Sequence, residues 1–169
     1  MDEHPGDERP EVVFERPTVA DGGALWRIAR DSRTLDLNSS YSYLLWCRDF
    51  AHTCVLARCG GEACGFVIGY RRPEAGDTLF VWQVAVDAER RGQRLARRML
   101  DHLVDRPAPQ PVRWLETTIT ADNAASVALF TGFARARGAS LSRDVLFSAA
   151  HFPDGHQAEL LFRIGPLGE

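Results

Sequence analysis

The run from Leu79 to Val86 constrains the fold most, because it is almost entirely apolar at positions that face opposite ways along a strand. Such a strand is stable where both faces of its sheet are covered, so the run predicts a central strand in the larger pattern Thr78–Val86. Two earlier strand patterns, Thr53–Cys59 and Ala63–Tyr70, are separated by Gly60-Gly61, a pair typical of a hairpin turn. The middle of the chain therefore predicts consecutive strands of one sheet.

The flanking segments alternate between strand and helix patterns. Before the central run we predict a strand at Val12–Pro17, a helix capped by Asp21 that buries Leu25, Ile28 and Ala29, a turn at Asn38–Ser40, and a helix through Tyr41, Leu44, Leu45 and Cys47. After the central run we predict a helix at Gly92–Asp105, a strand at Trp114–Thr120 and a helix at Ala124–Ala134. Two further strands are predicted near Leu141–Ser148 and Glu159–Ile164. This order predicts an α/β domain of the α+β type, with a mixed, mostly antiparallel sheet flanked by helices. Residues 1–11 are acidic and polar and predict a disordered tail, which leaves 12–169 as a single domain.

The charged residues exclude several function classes. All 20 basic residues are arginine, so the chain has no Schiff-base lysine, no phosphate-binding lysine of the Walker type and no lysine general base. A net charge of −3 argues against nucleic-acid binding. No run of 18 apolar residues predicts a membrane span, and the polar N-terminus does not resemble a signal peptide, so we expect a cytoplasmic protein.

The four cysteines, Cys47, Cys54, Cys59 and Cys64, are close together in the chain but form no Cys-x-x-Cys pair. No histidine stands at the spacing of a zinc ligand. We expect reduced, packed thiols and no metal site. None of the four thiols is placed to carry an acyl group.

An arginine-rich loop follows the central strand. Five arginines occupy nine residues, Arg90–Arg98, where the loop passes into the helix at Gly92–Asp105. A helix N-terminus offers unpaired N–H groups, and added guanidinium groups make it an anion site suited to a pyrophosphate. The alternative is a solvated basic face on which Arg97 and Arg98 pair with Asp101.

The order of elements around this loop resembles that of the GCN5-related N-acetyltransferases over residues 12–165, and Arg91–Ala96 is similar to their acetyl-coenzyme A signature, except that Arg94 stands where glycine is usual. The pattern from Asn123 to Phe133 is similar to the helix that often carries a tyrosine near the coenzyme sulfur, a position held here by Phe130. The resemblance implies an acetyl-CoA site. Its implied residues are Val84, Ala85, Val86, Arg91, Gly92, Gln93, Arg94, Leu95, Ala96, Asn123 and Ser126.

Longer stretches resemble one branch of that family, the L-2,4-diaminobutyrate acetyltransferases of ectoine biosynthesis. They are Asp36–Leu45, Thr78–Asp87, Leu115–Asn123 and Leu161–Pro166. This resemblance implies acetylation of the γ-amine of L-2,4-diaminobutyrate in osmoprotectant synthesis, by a homodimer without metal, nucleic-acid or membrane partners.

A diamino acid requires acidic groups for its ammonium groups, a donor for its carboxylate and a proton acceptor. We predict Glu116, within a strand, as the general base, although pairing with an arginine is its structural alternative. His156 lies on a late loop and is a second candidate, an assignment to which the resemblance adds weight. The predicted substrate-binding residues, each of which also has a capping or packing interpretation, are Asp36, Asn38, Tyr41 and Trp82.

The predicted reaction is direct transfer from acetyl-CoA to the amine in a ternary complex, with a backbone N–H of Val84 or Val86 polarising the thioester carbonyl. Two alternatives remain at this stage. One is an acetyltransferase for another small amine or a peptide N-terminus. The other is a catalytically silent domain that senses acyl-CoA, an interpretation to which Phe130 and Arg94 give some support.

Overall fold

Residues 10–168 are described by a computed structural model of the chain. Seven strands form one sheet in the order β1-β2-β3-β4-β5-β7-β6. The elements of this part of the chain are β1 (Val12–Glu15), α1 (Gly22–Ser32), α2 (Ser40–Asp49), β2 (Val55–Cys59), β3 (Glu62–Arg72), β4 (Ala75–Val86), α3 (Leu95–Val104), β5 (Trp114–Ile119), α4 (Ala124–Ala136), β6 (Ser140–Phe147) and β7 (Glu159–Gly165). The predicted fold class and order of elements are confirmed.

Neighbouring strands are antiparallel except for β4 and β5, which run parallel at the centre of the sheet. A parallel pair requires a crossover, and the segment that contains α3 provides it. The crossover places the residues after β4 and the residues after β5 at the same edge of the sheet. Any site built at this edge is therefore formed by the carboxyl ends of the two central strands.

Helices cover both faces of the sheet, as the apolar central strand predicts. On one face α3 and α4 bury Leu100 and Phe133 against residues of β4 and β5. On the other face α1 and α2 bury Leu25 and Tyr43 against β2 and β3, where Phe66 is fully buried. Each fully buried large apolar side chain stabilises the fold by roughly 1.5–3 kcal/mol.

Three details of the prediction are wrong. Asp21 stands at the N-terminus of α1 without capping it, because its carboxylate accepts from Thr18 and pairs with Arg58. Helix α2 buries Tyr43 and Cys47, while Tyr41 and Leu44 are exposed.

The third error concerns the cysteines. Cys59 and Cys64, on either side of the Gly60-Gly61 turn, are joined in a disulfide, whereas Cys47 and Cys54 are free and buried as expected. The pairing of β2 with β3 across the predicted hairpin brings the two thiols together. The expectation of reduced thiols rested instead on the expected cytoplasmic location.

The predicted disordered tail, residues 1–11, lies outside the described residues apart from Pro10 and Glu11. Within residues 10–168 no helix is both long enough and apolar enough to cross a membrane.

Candidate functional site

The two central strands separate before they end, and the site lies in the gap. Hydrogen-bonded pairing between β4 and β5 runs only from the Thr78–Trp114 pair to the Val81–Thr117 pair. Beyond Val81 the backbone of β4 has no sheet partner on this side, so its polar groups are available to a ligand. A cavity of about 330 Å³ occupies the gap. Its wall includes Asp36, Asn38, Trp82, Gln83, Val84, Thr117–Thr120, Asn123, Ser126, Phe130, His156 and Glu159.

A β-bulge in β4 produces the separation. Ile68 of β3 pairs with Gln83 but the next residue, Gly69, pairs with Val81, so Trp82 is an extra residue on the β4 side. An extra residue bends its strand and increases the local twist. Gly69 is required opposite the bulge, because a Cβ atom there would lie 2.5 Å from the carbonyl oxygen of Phe80.

Gln83 connects the bulge to the loop between α1 and α2. Its buried side chain accepts a hydrogen bond from the Tyr43 hydroxyl at 3.0 Å and donates one to the backbone carbonyl of Asp36, also at 3.0 Å. Buried amides that meet both partners are well ordered. The contacts therefore hold the Asp36 segment against the cavity.

Three ionisable side chains meet at the mouth of the cavity. His156 Nε2 lies 3.6 Å from Glu159 Oε1 and 3.7 Å from Asp36 Oδ2. The pKa of His156 is raised, mainly by the hydrogen bond of its ring to the Gln157 carbonyl and further by the nearby carboxylates, Glu159 first. Glu159 Oε2 is shielded from water and has no hydrogen-bond partner within the described residues. An unmet carboxylate oxygen beside a cavity suits an ammonium group.

Sequence reasoning missed Glu159. The residue opens β7, and the antiparallel pairing of β7 with β5 brings Leu160 beside Ile119 at the end of β5. That register places Glu159 next to the gap. The available signal was an acidic residue at the first position of an otherwise apolar strand, three residues after His156.

Glu116, the predicted base, does not line the cavity. The residue is 5% exposed, and its carboxylate accepts a hydrogen bond from Arg163 Nε at 3.2 Å, while Arg72 Nη1 lies 3.6 Å away. These contacts are those of the structural alternative, in which arginines neutralise a buried carboxylate. The catalytic assignment of Glu116 stays a prediction that this geometry does not support.

The predicted acceptor residues fall into two groups. Asp36, Asn38 and Trp82 line the cavity, and the ring centroid of Trp82 lies 5.4 Å from that of Trp46. Tyr41 does not line it: its side chain is 66% exposed on the outer face of α2. The periodicity of α2 did not show which of Tyr41 and Tyr43 faces the core. Tyr43 is the one that hydrogen-bonds to Gln83, the residue that holds the Asp36 segment in place.

The arginine-rich loop has the geometry of an anion site. Gly92 and Arg94 both have positive φ, 80° and 57°, and no side chain caps the N-terminus of α3. Positive-φ residues that alternate with ordinary ones can turn backbone N–H groups of a loop toward an anion. Arg94 thus lies in the left-handed conformation just before the helix, not in a helical first turn as we expected. Glycine adopts this conformation without strain, which explains its usual presence there.

The charges of the loop are mostly uncompensated. Arg97 pairs with Asp101 and Arg98 lies over the Phe14 ring, so the basic-face alternative is correct only for Arg97. No carboxylate within residues 10–168 forms an ion pair with Arg91 or Arg94. These two guanidinium groups remain available to a ligand.

The predicted cofactor residues of β4 do not share one surface. Val84 lines the cavity, Val86 borders a separate, smaller pocket, and Ala85 is buried on the opposite face. Asn123 caps α4, since its Oδ1 accepts from the Ser126 backbone N–H at 3.1 Å, and both residues also line the cavity.

The free thiols are unsuited to nucleophilic chemistry. Burial raises the pKa of the Cys47 thiol to about 11 and that of the Cys54 thiol to about 12, so both are protonated at neutral pH. Among residues 10–168, no cluster of three or more histidine, cysteine or acidic side chains is arranged to hold a metal ion.

Comparison with known proteins agrees with this geometry. Residues 23–133 match the model of the acetyltransferase (GNAT) family. The chain belongs to the GNAT acetyltransferase family. It is 60% identical over 160 residues to an L-2,4-diaminobutyric acid acetyltransferase of Streptomyces coelicolor, covering 93% of this chain and 94% of that protein.

More distant relatives carry the same description. An L-2,4-diaminobutyric acid acetyltransferase of Marinococcus halophilus is 47% identical and covers 92% of this chain and 91% of its own length. Among solved structures, the diaminobutyrate acetyltransferase from Paenibacillus lautus, in complex with L-2,4-diaminobutyric acid and coenzyme A, is 42% identical with a TM-score of 0.89. The match covers 95% of this chain and 98% of that one.

Proposed function

We propose that this chain transfers the acetyl group of acetyl-CoA to the γ-amine of L-2,4-diaminobutyrate, giving Nγ-acetyl-L-2,4-diaminobutyrate for ectoine synthesis and osmoprotection. One observation carries the proposal: an acidic, histidine-containing cavity meets the groove of a GNAT fold in a chain 60% identical to a diaminobutyrate acetyltransferase. The acidic side chains suit a substrate with two ammonium groups. Its reaction is transfer within one ternary complex, because the buried thiols offer no acyl carrier.

The residues fit an acetyl-CoA site. The left-handed turn at Gly92 and Arg94 and the uncapped N-terminus of α3 would hold the pyrophosphate, with Arg91 adding a charge-assisted contact. Acetyl-CoA supplies an acetyl group activated as a thioester. The unpaired edge of β4 at Val84 would bind the pantetheine arm and donate a hydrogen bond to the acetyl carbonyl.

The acidic cluster would receive the diamino acid. Glu159 Oε2, which has no hydrogen-bond partner among residues 10–168, would bind an ammonium group, and Asp36 would attract the cationic substrate from the mouth of the cavity. A reacting amine must lose a proton, because a lysine-like amine has a pKa of about 10.4. His156 in its neutral form would accept that proton within the cavity. Glu116 would then hold Arg163 and Arg72 without touching the substrate.

We also propose that the protein is cytoplasmic, because its proposed reaction uses acetyl-CoA, and that it forms a homodimer. Strand β6 is an edge of the sheet, and Val145, Leu146 and Phe147 at its end are 62%, 40% and 45% exposed. An edge strand with apolar side chains on both faces favours pairing with another chain. Light scattering should give twice the chain mass, and Val145→Arg should reduce it toward that of one chain. A monomeric wild-type protein would contradict the proposed dimer.

The substrate assignment is tested by release of coenzyme A thiol across a panel of amines. We expect 2,4-diaminobutyrate to have a kcat/KM about tenfold or more above 2,3-diaminopropionate and ornithine, since one methylene misplaces the amine. The product should carry its acetyl group on the γ-nitrogen by NMR. Equal turnover of lysine or a peptide N-terminus would favour another acceptor, and coenzyme binding without turnover would favour a sensor.

The cofactor loop is tested with Arg91→Gln. Loss of one charge-assisted contact should weaken coenzyme A binding by about 1.5–3 kcal/mol in calorimetry. Arg48→Gln removes an equal charge from an exposed position on α2 and should leave the affinity unchanged. If the two variants bind coenzyme A alike, Arg91 lies outside the site.

The proton acceptor is tested by pH profiles of kcat. Only neutral His156 accepts a proton, so kcat should rise as pH increases through its pKa, with a midpoint above the ordinary value of about 6.5. His156→Gln should lose this limb and lower kcat by about a hundredfold. His151→Gln, outside the cavity, is the control.

Glu116→Gln separates the two candidate bases in the same experiment. We expect it to lower the free energy of unfolding by about 1–3 kcal/mol, because Arg163 and Arg72 lose their counter-charge, while kcat and its pH limb persist. A stable Glu116→Gln protein without the limb, beside a His156→Gln protein that keeps it, would restore Glu116 as the base.

A further inference from the structure

A second cavity lies away from the cleft and is lined by basic side chains. Its volume is about 220 Å³, and it shares no lining residue with the cavity between β4 and β5. Arg16 follows β1, Arg71 is near the end of β3, and Arg106 follows α3; all three border it, with His52 beside them. Leu103 and neighbouring apolar residues form the rest of the wall. Separate elements thus direct three permanent positive charges to one small space.

The three guanidinium groups have no acidic partner within residues 10–168, where none of the ion pairs includes them. Arg71 instead donates to the backbone carbonyls of Gly76 and Gln110. Arg106 Nη1 donates to two carbonyls, those of His52 and Cys54. Carbonyl oxygens satisfy hydrogen bonds but do not neutralise charge, so the cluster keeps a positive potential.

Arg106 is the least satisfied member of the cluster. Its Nη2 atom is shielded from water and has no hydrogen-bond partner in the described part of the chain. The pKa of Arg106 is lowered, first by burial and then by the charge of Arg16. The pKa of Arg71 is also lowered by burial, although Asp77 partly opposes this. Each shift has the sign expected where a cation lacks sufficient counter-charge.

We infer that this cavity is a binding site for a small dianionic oxyanion of the phosphate or sulfate type, held by Arg16, Arg71 and Arg106. Planar guanidinium groups bind tetrahedral oxyanions through paired N–H donors. Three arginines from separate elements match the charge of a dianion better than that of a monoanion. A bound oxyanion would offer Arg106 Nη2 the acceptor that it does not have within residues 10–168. The cavity is large enough for an inorganic anion and too small for a whole coenzyme A molecule.

A bound anion would add a contact shared by the segment after β1, the end of β3 and the segment after α3. Arg106 already attaches the segment after α3 to the turn at Ala51–Thr53, and Arg71 attaches β3 to Gln110. Neutralising the repulsion between Arg16 and Arg106 would strengthen the attachment made by Arg106. The site therefore acts on the stability of the fold, and any anion present in excess shifts the folding equilibrium by mass action.

The test is titration of the full chain with inorganic phosphate, followed by calorimetry and thermal unfolding. Ionic strength is held constant with sodium chloride, and coenzyme A is present at saturation so that the loop at Arg91 contributes nothing. We expect saturable binding with a rise in Tm. Sulfate should behave like phosphate, and acetate, with one charge, should bind at least about tenfold more weakly.

Arg16→Gln is the main variant, because Arg16 is exposed and its replacement should not prevent folding. It should weaken phosphate binding by at least about tenfold, the effect of one charge-assisted hydrogen bond. Arg135→Gln removes the same charge from an exposed position on α4 and should bind phosphate as the wild type does. No saturable effect of phosphate, equal affinity in the two variants, or acetate binding as tight as phosphate binding would each overturn the inference.

Discussion

The early end of the ladder between β4 and β5 is the constraint on which the rest of the structure depends. A buried sheet does not tolerate a gap at its centre unless the exposed backbone groups find other partners. From the Thr78–Trp114 pair to the Val81–Thr117 pair the two strands supply those partners to each other. After Val81 the bulge at Trp82 turns β4 away from β5, which leaves the backbone edge of β4 available to a ligand. The gap is thus a product of register and of one extra residue.

The same gap explains why two unlike kinds of site meet in one cleft. The parallel crossover places the N-terminus of α3 at the carboxyl end of β4, which gives an anion site of backbone N–H groups and arginine. The antiparallel return of β7 brings Glu159 beside the end of β5, which gives an acidic site. A polyanionic acetyl donor and a cationic acceptor therefore approach from different sides, and each meets charge of the opposite sign.

Periodicity predicted the fold well because each strand and helix carries its own apolar pattern, most clearly in β4 and α3. The loop before α3 could be located because strand, loop and helix are contiguous in the chain, whereas its assignment to acetyl-CoA came from the family resemblance and stays a prediction. Periodicity did not predict contacts set by register between distant strands. Glu116 looked like a base because Arg163 lies 47 residues away on β7. Glu159 went unnoticed for the same reason, and Cys59 was assigned a free thiol although the hairpin places it beside Cys64.

The absence of lysine has a chemical consequence for the proposed reaction. An acetyl thioester reacts with neutral primary amines, and a lysine near the cleft would offer a competing acceptor with a pKa of about 10.4. Guanidinium groups stay protonated at all ordinary pH values and do not act as nucleophiles. Because all 20 basic residues are arginine, the chain carries positive charge in the loop at Arg91 and neutralises Glu116 with Arg163 without containing a lysine amine. In the proposed complex, no lysine amine competes with the amines of the acceptor.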